Sequence, residues 1–362
     1  MNLEDLIAAP QFSLPQAEKE SALVASLNEL TAKHRRDCPE YDRLLRILYP
    51  SCDLAAGIVE VPFLPVSLFK HHALRSVPEA AVFRTLTSSG TTGQQVSRIT
   101  LDRETAQLQT LALSSIMRHV LGPARLPMIL VESPGLIKER SQFSARAAGM
   151  LGMVNFGRNQ FFALDEQMRL DESGLREFLQ KYAGREILIF GFTYMVWQYF
   201  FRGIENLGFD LSKATLIHSG GWKKLQDMAV SNDDFRRLFR EKTGLARIFN
   251  FYGMVEQVGS VFIDGDDHTL YAPNFADIIV RDPVTLREVP TGTPGIIQVL
   301  SLLPRSYPGH SLLTEDLGVV HGIDQNHGGR MGKRFSVLGR VAKSELRGCS
   351  DVHAAQEAAL AS

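Results

Sequence analysis

The chain has 362 residues, 44% of them hydrophobic and 22% charged, the balance of a soluble globular protein of one large domain or two ordinary ones. A formal net charge of −1 supplies neither the basic field that nucleic acid attracts nor the acidic excess of a disordered chain. There is no apolar run of the roughly 18 residues a membrane span needs, no basic start or apolar core of a signal peptide in Met1-Asn2-Leu3-Glu4-Asp5, and no Cys-x-x-Cys pair among the three cysteines. A disulfide framework and a zinc site are therefore disfavoured, and reduced thiols in a cytoplasmic protein are expected.

In chain order, Gln16 to Arg36 reads as an amphipathic helix with Ala22, Leu23, Leu27 and Leu30 on one face, and Tyr41 to Leu48 as a shorter one ending at Pro50. Cys38 and Cys52 read as structural residues at the edges of these elements. Two prolines make Val61-Pro62-Phe63-Leu64-Pro65-Val66 an extended connector with apolar anchors. Lys70-His71-His72 reads as a solvated helix end, with an anion contact as the alternative. Phe83–Leu86 and Arg98–Leu101 read as short strands. Asp102 then caps a long helix with Leu108, Leu111, Ala112, Ser115 and Ile116 on one face. Continuous apolar runs at Met128–Val131, Ile187–Phe190, Ala214–His218 and Arg247–Phe251 read as buried strands, with a small-residue helix over Phe143–Met150 and an aromatic helix containing Trp197, Tyr199, Phe200 and Phe201 between them. Strands alternating with helices predict an α/β fold with a largely parallel sheet. From Val258 to Leu303 short alternating runs between Gly, Pro and Asp turns (Ser260–Ile263, Asp277–Val280, Ile296–Leu300) predict antiparallel β structure, joined to the rest without a clean linker.

The most unusual stretch is Thr87-Ser88-Ser89-Gly90-Thr91-Thr92-Gly93, five hydroxyl side chains and two glycines between two strands. Glycines let a backbone approach an anion closely, and successive N–H and O–H groups donate to phosphate oxygens; a plain serine- and threonine-rich turn is the alternative. It is not the common P-loop, because Gly90 and Gly93 are three apart and no lysine follows directly. Other polar or glycine-rich clusters fall at predicted strand ends, where open α/β sheets bind ligands: Gly191-Phe192-Thr193, Ser219-Gly220-Gly221-Trp222 and Tyr252-Gly253-Met254-Val255-Glu256. Glu256 is placed to hold Mg²⁺ with phosphate oxygens, or to complement a helix start. Glu315-Asp316, within Leu313 to Gly318, either meets ribose hydroxyls or shapes a β-turn.

Together these motifs resemble the adenylate-forming superfamily of acyl- and aryl-CoA ligases and luciferases. Thr87–Gly93 is similar to its phosphate loop, Tyr252-Gly253-x-x-Glu256 to its Tyr-Gly-x-Thr-Glu motif, Thr314–Gly318 to its Thr-Gly-Asp-x-Gly motif and Gly339-Arg340 to its hinge, all in the family's order. A fuller match resembles the acyl-protein synthetases of LuxE type. It runs through Pro62–Lys70, Ser88–Gly93 with Ser97-Arg98, Ser306–Ser311 into Leu313–Gly318, and Leu338–Arg340 with Glu345-Leu346-Arg347-Gly348-Cys349-Ser350. The resemblance implies the N-terminal-type fold of adenylate-forming enzymes, with parallel sheets and helices and a smaller antiparallel β sub-domain. It divides the chain into a helical segment and connector (1–80), an α/β nucleotide-binding core (81–257), the antiparallel sub-domain (258–340) and a mobile tail (341–362).

The implied chemistry is activation of a fatty or aryl carboxylic acid by ATP and Mg²⁺ to the acyl-adenylate. Transfer to Cys349 as a thioester follows, then passage to a partner acyl reductase. Ser88, Ser89, Gly90, Thr91, Thr92 and Gly93 would hold phosphates, Glu256 the metal, and Gly220, Gly221, Tyr252 and Gly253 the adenine side. Asp316 would meet the ribose and Arg340 the ribose or phosphate. A nearby Arg347 lowers a thiol pKa, and a thioester stays reactive for onward transfer. The family's C-terminal lysine-bearing domain is expected to be absent, the lysine following its phosphate loop is replaced by Val96-Ser97-Arg98, and Ala342 stands near its hinge aspartate; either a partner is expected to complete the site, or Arg98, Lys343 or another local cation to serve. An acyl- or aryl-CoA ligase of the phenylacetate-CoA ligase type, which needs no Cys349, and a non-catalytic nucleotide-binding subunit of a reductase complex are the alternatives.

Overall fold

A computed structural model of the chain describes residues 1–50, 54–88, 96–138, 145–221 and 230–341. Its strands are β1 (Leu64–Pro65), β2 (Arg84–Thr87), β3 (Arg98–Leu101), β4 (Leu126–Leu130), β5 (Gly157–Phe162), β6 (Ile187–Phe192), β7 (Ala214–Ser219), β8 (Arg247–Tyr252), β9 (Phe262–Asp264), β10 (Leu270–Tyr271), β11 (Ala276–Arg281), β12 (Gly295–Ser301), β13 (Ser311–Ile323) and β14 (Lys333–Arg340). The described residues fall into two units, one holding 1–88, 96–120 and 252–341 and the other 121–251. No described helix is long and apolar enough to cross a membrane.

The second unit is the parallel part. Its strands lie in the order β8-β7-β6-β4-β5, every neighbouring pair parallel. Every residue of β4, β6 and β7 is buried, as unbroken apolar runs covered on both faces should be. Helices Ala145–Val154, Glu172–Lys181 and Asn232–Thr243 accompany the strands. Gly157 is required where β5 crosses β4, since a Cβ there would stand 2.3 Å from the Met128 sulfur. The aromatic helix is real but not uniform: one α-helical turn, Thr193–Met195, leads into a π-helical stretch, Val196–Phe201. Trp197, Phe200 and Phe201 are buried core, and Trp197 stacks on Phe201 with ring centroids 4.6 Å apart.

The first unit contains the antiparallel strands, in the order β11-β12-β13-β14-β10-β9. β1 adds to β13 in parallel, Leu64 opposite Leu312 and Pro65 opposite Leu313, so the proline-flanked connector contributes one short pairing. β2 and β3 form a separate antiparallel ribbon. Asp102 caps the helix Arg103–Leu121 by accepting from the Thr105 amide at 2.8 Å. Its buried stripe is turned from the one the spacing predicts, taking in Gln109 and Met117 and leaving out Leu111 and Ser115. Leu108, Ala112 and Ile116 are buried on the i, i+4 row, whereas Leu111 lies off that row and is 58% exposed.

The helix Gln16–Asp37 is fixed to this sheet by buried polar groups as well as by Leu23, Leu27 and Leu30. Asp277, on the edge strand β11, is fully buried between Lys19 and Lys333, each 3.5 Å from one of its oxygens, and accepts from Gln16 Nε2 at 2.6 Å. Burial alone would raise the Asp277 carboxyl, but the two ammonium groups outweigh it and hold it below the usual carboxylate range. Burial likewise lowers Lys19, which also faces Lys333. Lys333 is raised instead, since Asp277 and Glu20 overcome its desolvation. Further along the helix His34 stacks on His310 at 5.1 Å. Thr31 Oγ1 donates to Leu27 O and therefore accepts from His310 Nε2. His34 Nε2 donates to Pro304 O, leaving Nδ1 to accept from Ser76 Oγ. Both rings are thus neutral, and burial pushes His310 down to about 3.

Two outcomes follow from these groups. Asp277→Asn leaves two buried ammonium groups without their anion and is expected to lower the unfolding free energy by about 3–5 kcal/mol, measured by denaturant titration. His310 binds its proton only in the unfolded chain between pH 6.5 and about 3, so its contribution is complete above pH 6.5 and is lost as pH falls. His310→Gln, which keeps a donor for Thr31, should flatten stability against pH by about 2 kcal/mol between pH 6.5 and 5. An unchanged slope would mean that His310 is not buried neutral.

Candidate active site

Within the first unit β13 changes partners at its acidic pair. Its early residues, through Leu313, pair with β1. From Asp316 on they pair with β14, and Asp316 stands opposite Arg340. The stretch expected as a possible β-turn is therefore part of a strand, with β12 on its other side and a break in the β12 register opposite Thr314–Asp316. Gly318 admits this packing, because a Cβ there would lie 2.5 Å from Ile297 Cδ1. Thr314 Oγ1 donates to Ile297 O and accepts from the Asp316 amide at 3.1 Å, which fixes the backbone that carries the carboxylates.

Asp316 accepts from Tyr252 Oη at 2.7 Å and has Arg340 Nε at 3.5 Å from its other oxygen. Burial, and then the Asp316 charge, push the Tyr252 hydroxyl well above its ordinary value, so it remains a proton donor. Arg340 also stands 3.7 Å from one oxygen of Glu315, whose other oxygen is 3.6 Å from Lys70 Nζ. Glu256 lies in the short 3₁₀ turn Val255–Gln257 and is 7% exposed. Burial raises its carboxyl pKa, partly offset by a hydrogen bond from the Ser97 side chain and by the charges of Lys70 and Arg340. Its backbone is fixed by Tyr307, whose Oη donates to Glu256 O at 2.9 Å. Ser88 and Ser97 are clipped together, Ser88 N donating to Ser97 O at 3.1 Å and Ser97 N to Ser88 Oγ at 2.9 Å. Ser88 and the Ser97 that hydrogen-bonds Glu256 thus lie side by side.

The structure brings Ser88, Tyr252, Glu256, Asp316 and Arg340 into one cluster, with Gly253 exposed next to Tyr252. Gly220 and Gly221 are exposed at the end of β7 in the other unit, Gly220 with φ +86°. Ser89, Gly90, Thr91, Thr92, Gly93, Cys349 and Lys343 lie outside the described residues, as does Cys52; Cys38 is buried. Arg98 is exposed on β3. The sequence reading of Lys70 as a solvated helix end is corrected: its side chain is only 8% exposed and faces Glu315. The tripeptide Lys-His-His carries no sign of this, because the burial comes from β1 docking on a strand some 250 residues away in the chain. Among the described residues no group of three or more His, Cys, Asp or Glu side chains could hold a metal.

A family model described as acyl-protein synthetase, LuxE, matches residues 2–357. The chain belongs to the acyl-protein synthetase family. As a member it is a ligase. Two curated relatives are each named long-chain-fatty-acid–luciferin-component ligase. The one from Vibrio harveyi is 25% identical over 307 residues, 82% of this chain and 78% of that protein. The one from Aliivibrio fischeri is 24% identical over 273 residues, 74% of this chain and 71% of that protein. Among solved structures the chain is similar to a 2-hydroxyisobutyryl-CoA ligase. In its open conformation with 2-HIB-AMP and CoA the TM-score is 0.68 at 18% identity, covering 91% of this chain and 77% of that one. In its postadenylation state with 2-HIB-AMP the values are 0.67 and 16%, covering 91% and 69%. That likeness shows the fold, which is the adenylate-forming one.

Tyr252 and Asp316 should be energetically coupled. In a double-mutant cycle of Tyr252→Phe and Asp316→Asn, the interaction energy in unfolding is expected to be about 1–2 kcal/mol. Simple additivity would show that the hydrogen bond does not hold the cluster together.

Proposed function

We propose that this acyl-protein synthetase family member activates a fatty acid with ATP and carries the acyl group on its own Cys349 to a partner acyl reductase. The observation that carries the reading is the cluster of Tyr252, Glu256, Asp316 and Arg340, assembled from three chain regions by the β13–β14 register. The names of the two curated relatives support the fatty-acid class.

In the first half-reaction a carboxylate oxygen of the acid attacks the α-phosphorus of ATP. The bond from that phosphorus to the bridging oxygen breaks, and pyrophosphate leaves with the electron pair. Positioning and charge neutralisation do most of the work in such transfers. The hydroxyls of Ser88, Ser89, Thr91 and Thr92 and the amides of Gly90 and Gly93 are assigned to the phosphates. Asp316, oriented by Tyr252 and Arg340, is assigned to accept from the ribose hydroxyls, with Tyr252 and Gly253 against the adenine. Glu256 fits a magnesium ion: it is one buried carboxylate whose ionised form lacks solvation, and Mg²⁺ is commonly held by one or two carboxylates together with phosphate oxygens. Bound there, the ion would neutralise phosphate charge. In the second half-reaction the Cys349 thiol gives up its proton to solvent, the thiolate attacks the acyl carbonyl, the bond from that carbon to the phosphate oxygen breaks, and AMP leaves with the electron pair. The thioester is then passed to a thiol of the reductase.

Intact-protein mass spectrometry after incubation with ATP, Mg²⁺ and a panel of fatty and aryl acids tests this. Wild-type protein is expected to gain one acyl mass that requires ATP, is released by hydroxylamine and is absent from Cys349→Ser. Acid-dependent pyrophosphate release with no protein adduct, and a CoA thioester on adding CoA, would replace the reading by a CoA ligase. Neither adduct nor pyrophosphate with any acid, alone or with an acyl reductase added, would reduce the protein to a non-catalytic subunit.

A further inference from the structure

Lys70 is held more firmly than a solvent-facing lysine would be, and from two sides. Upstream, β1 docks on β13, and Val66 N donates to Leu313 O at 2.9 Å, two residues before Glu315. The helix Leu68–His71 then starts at once, so its position follows from that docking. Within the helix, Phe69 is 1% exposed and meets the Tyr307 ring edge to face at 6.0 Å. Tyr307 in turn holds the backbone of Glu256. The next residue, Lys70, is therefore set by the same contacts that set Glu315 and Glu256, and its ammonium acts on both carboxylates.

A stapling role for Lys70 does not account for this arrangement. Glu315 already has a second cation, Arg340, on its other oxygen. Each of the two cations also reaches a further group. Arg340 turns to Asp316 and Tyr252. The Lys70 charge also acts on Glu256, which the side chain of Ser97, bonded to Ser88, hydrogen-bonds. A nucleotide laid across this cluster would meet Arg340 at its sugar end and Lys70 at its polyphosphate end.

We propose that Lys70 is the cation that binds the β- and γ-phosphates of the nucleotide, while Arg340 serves the ribose side. The proposal rests on the nucleotide reading given above. A compact ammonium on a flexible stem suits a polyphosphate, to which it contributes as a point charge. Glu315 then acts as the counter-ion that holds Lys70 in place when the nucleotide is absent.

The test compares ATP and AMP binding by isothermal titration to the full chain with Mg²⁺, because AMP lacks the phosphates that Lys70 is assigned. Lys70→Gln should weaken ATP about tenfold or more, equivalent to about 1.4 kcal/mol, and leave AMP within about twofold. Lys70→Arg should restore most of the preference for ATP. Glu315→Gln breaks the same ion pair from the other side and should leave the preference for ATP at or above that of wild type. If Lys70→Gln weakens ATP and AMP alike, or neither, or if Glu315→Gln loses the preference to the same extent, Lys70 is a structural residue and the proposal is overturned. Wild-type protein that binds neither nucleotide would instead remove the nucleotide reading itself. Thermal unfolding of each variant identifies a folding failure, in which case the Lys70→Arg and Glu315→Gln pair decides: an unchanged preference for ATP in both supports the proposal, and a lost preference in both overturns it.

Discussion

The buried carboxylate of Asp277 sets the arrangement of the first unit. It has no access to solvent and is stabilised by Lys19, Lys333 and Gln16, two of which come from the helix Gln16–Asp37 and one from β14, together with the Ile278 amide. Removing one member of such a cluster leaves an uncompensated charge, so the cluster accepts the helix Gln16–Asp37 in one position and register only. The His34–His310 stack repeats the constraint at the other end of the same helix with neutral groups in place of ions. With that helix in place, residues from both ends of the chain share one core.

That shared core makes the cluster of site residues possible. β13 is long enough to have two partners in succession along one edge, β1 and then β14. At the changeover, Glu315 and Asp316 are reached by Lys70 from the segment that follows β1 and by Arg340 from the end of β14. Two cations separated by most of the sequence meet two adjacent carboxylates, and Tyr252 closes the chain of alternating charge with a donated hydrogen bond. Each member satisfies the next, which keeps so many ionisable groups compatible with partial burial.

The elements most legible in the sequence were those whose burial is uniform. β4, β6 and β7 appear as unbroken apolar runs because both of their faces are covered. The cap at Asp102 and the strands on either side of the Ser/Thr/Gly stretch were equally plain, because their signals are local. Leu111 was misplaced because an apolar residue three positions along a helix can fall beside the buried row as readily as on it. For Leu313–Gly318 the sequence offered ribose contact or a β-turn and no strand. Its acidic pair and glycine have poor strand propensity, and pairing with β12 on one edge and β14 on the other overrides it.

The sequence by itself determined the alternation of strands and helices and the change to antiparallel texture after Val258, and it singled out Tyr252, Glu256, Asp316 and Arg340 as candidate site residues, since motif order and spacing are properties of the chain. Only the tertiary structure decided that Lys70 is part of the same cluster, that Tyr252 is bonded to Asp316, and that Lys19 and Lys333 share one buried carboxylate. These are contacts between segments far apart in sequence. A lysine carries the same letter whether it ends a solvated helix or faces a buried carboxylate, and which of the two it does depends on desolvation, a quantity fixed by what packs around it.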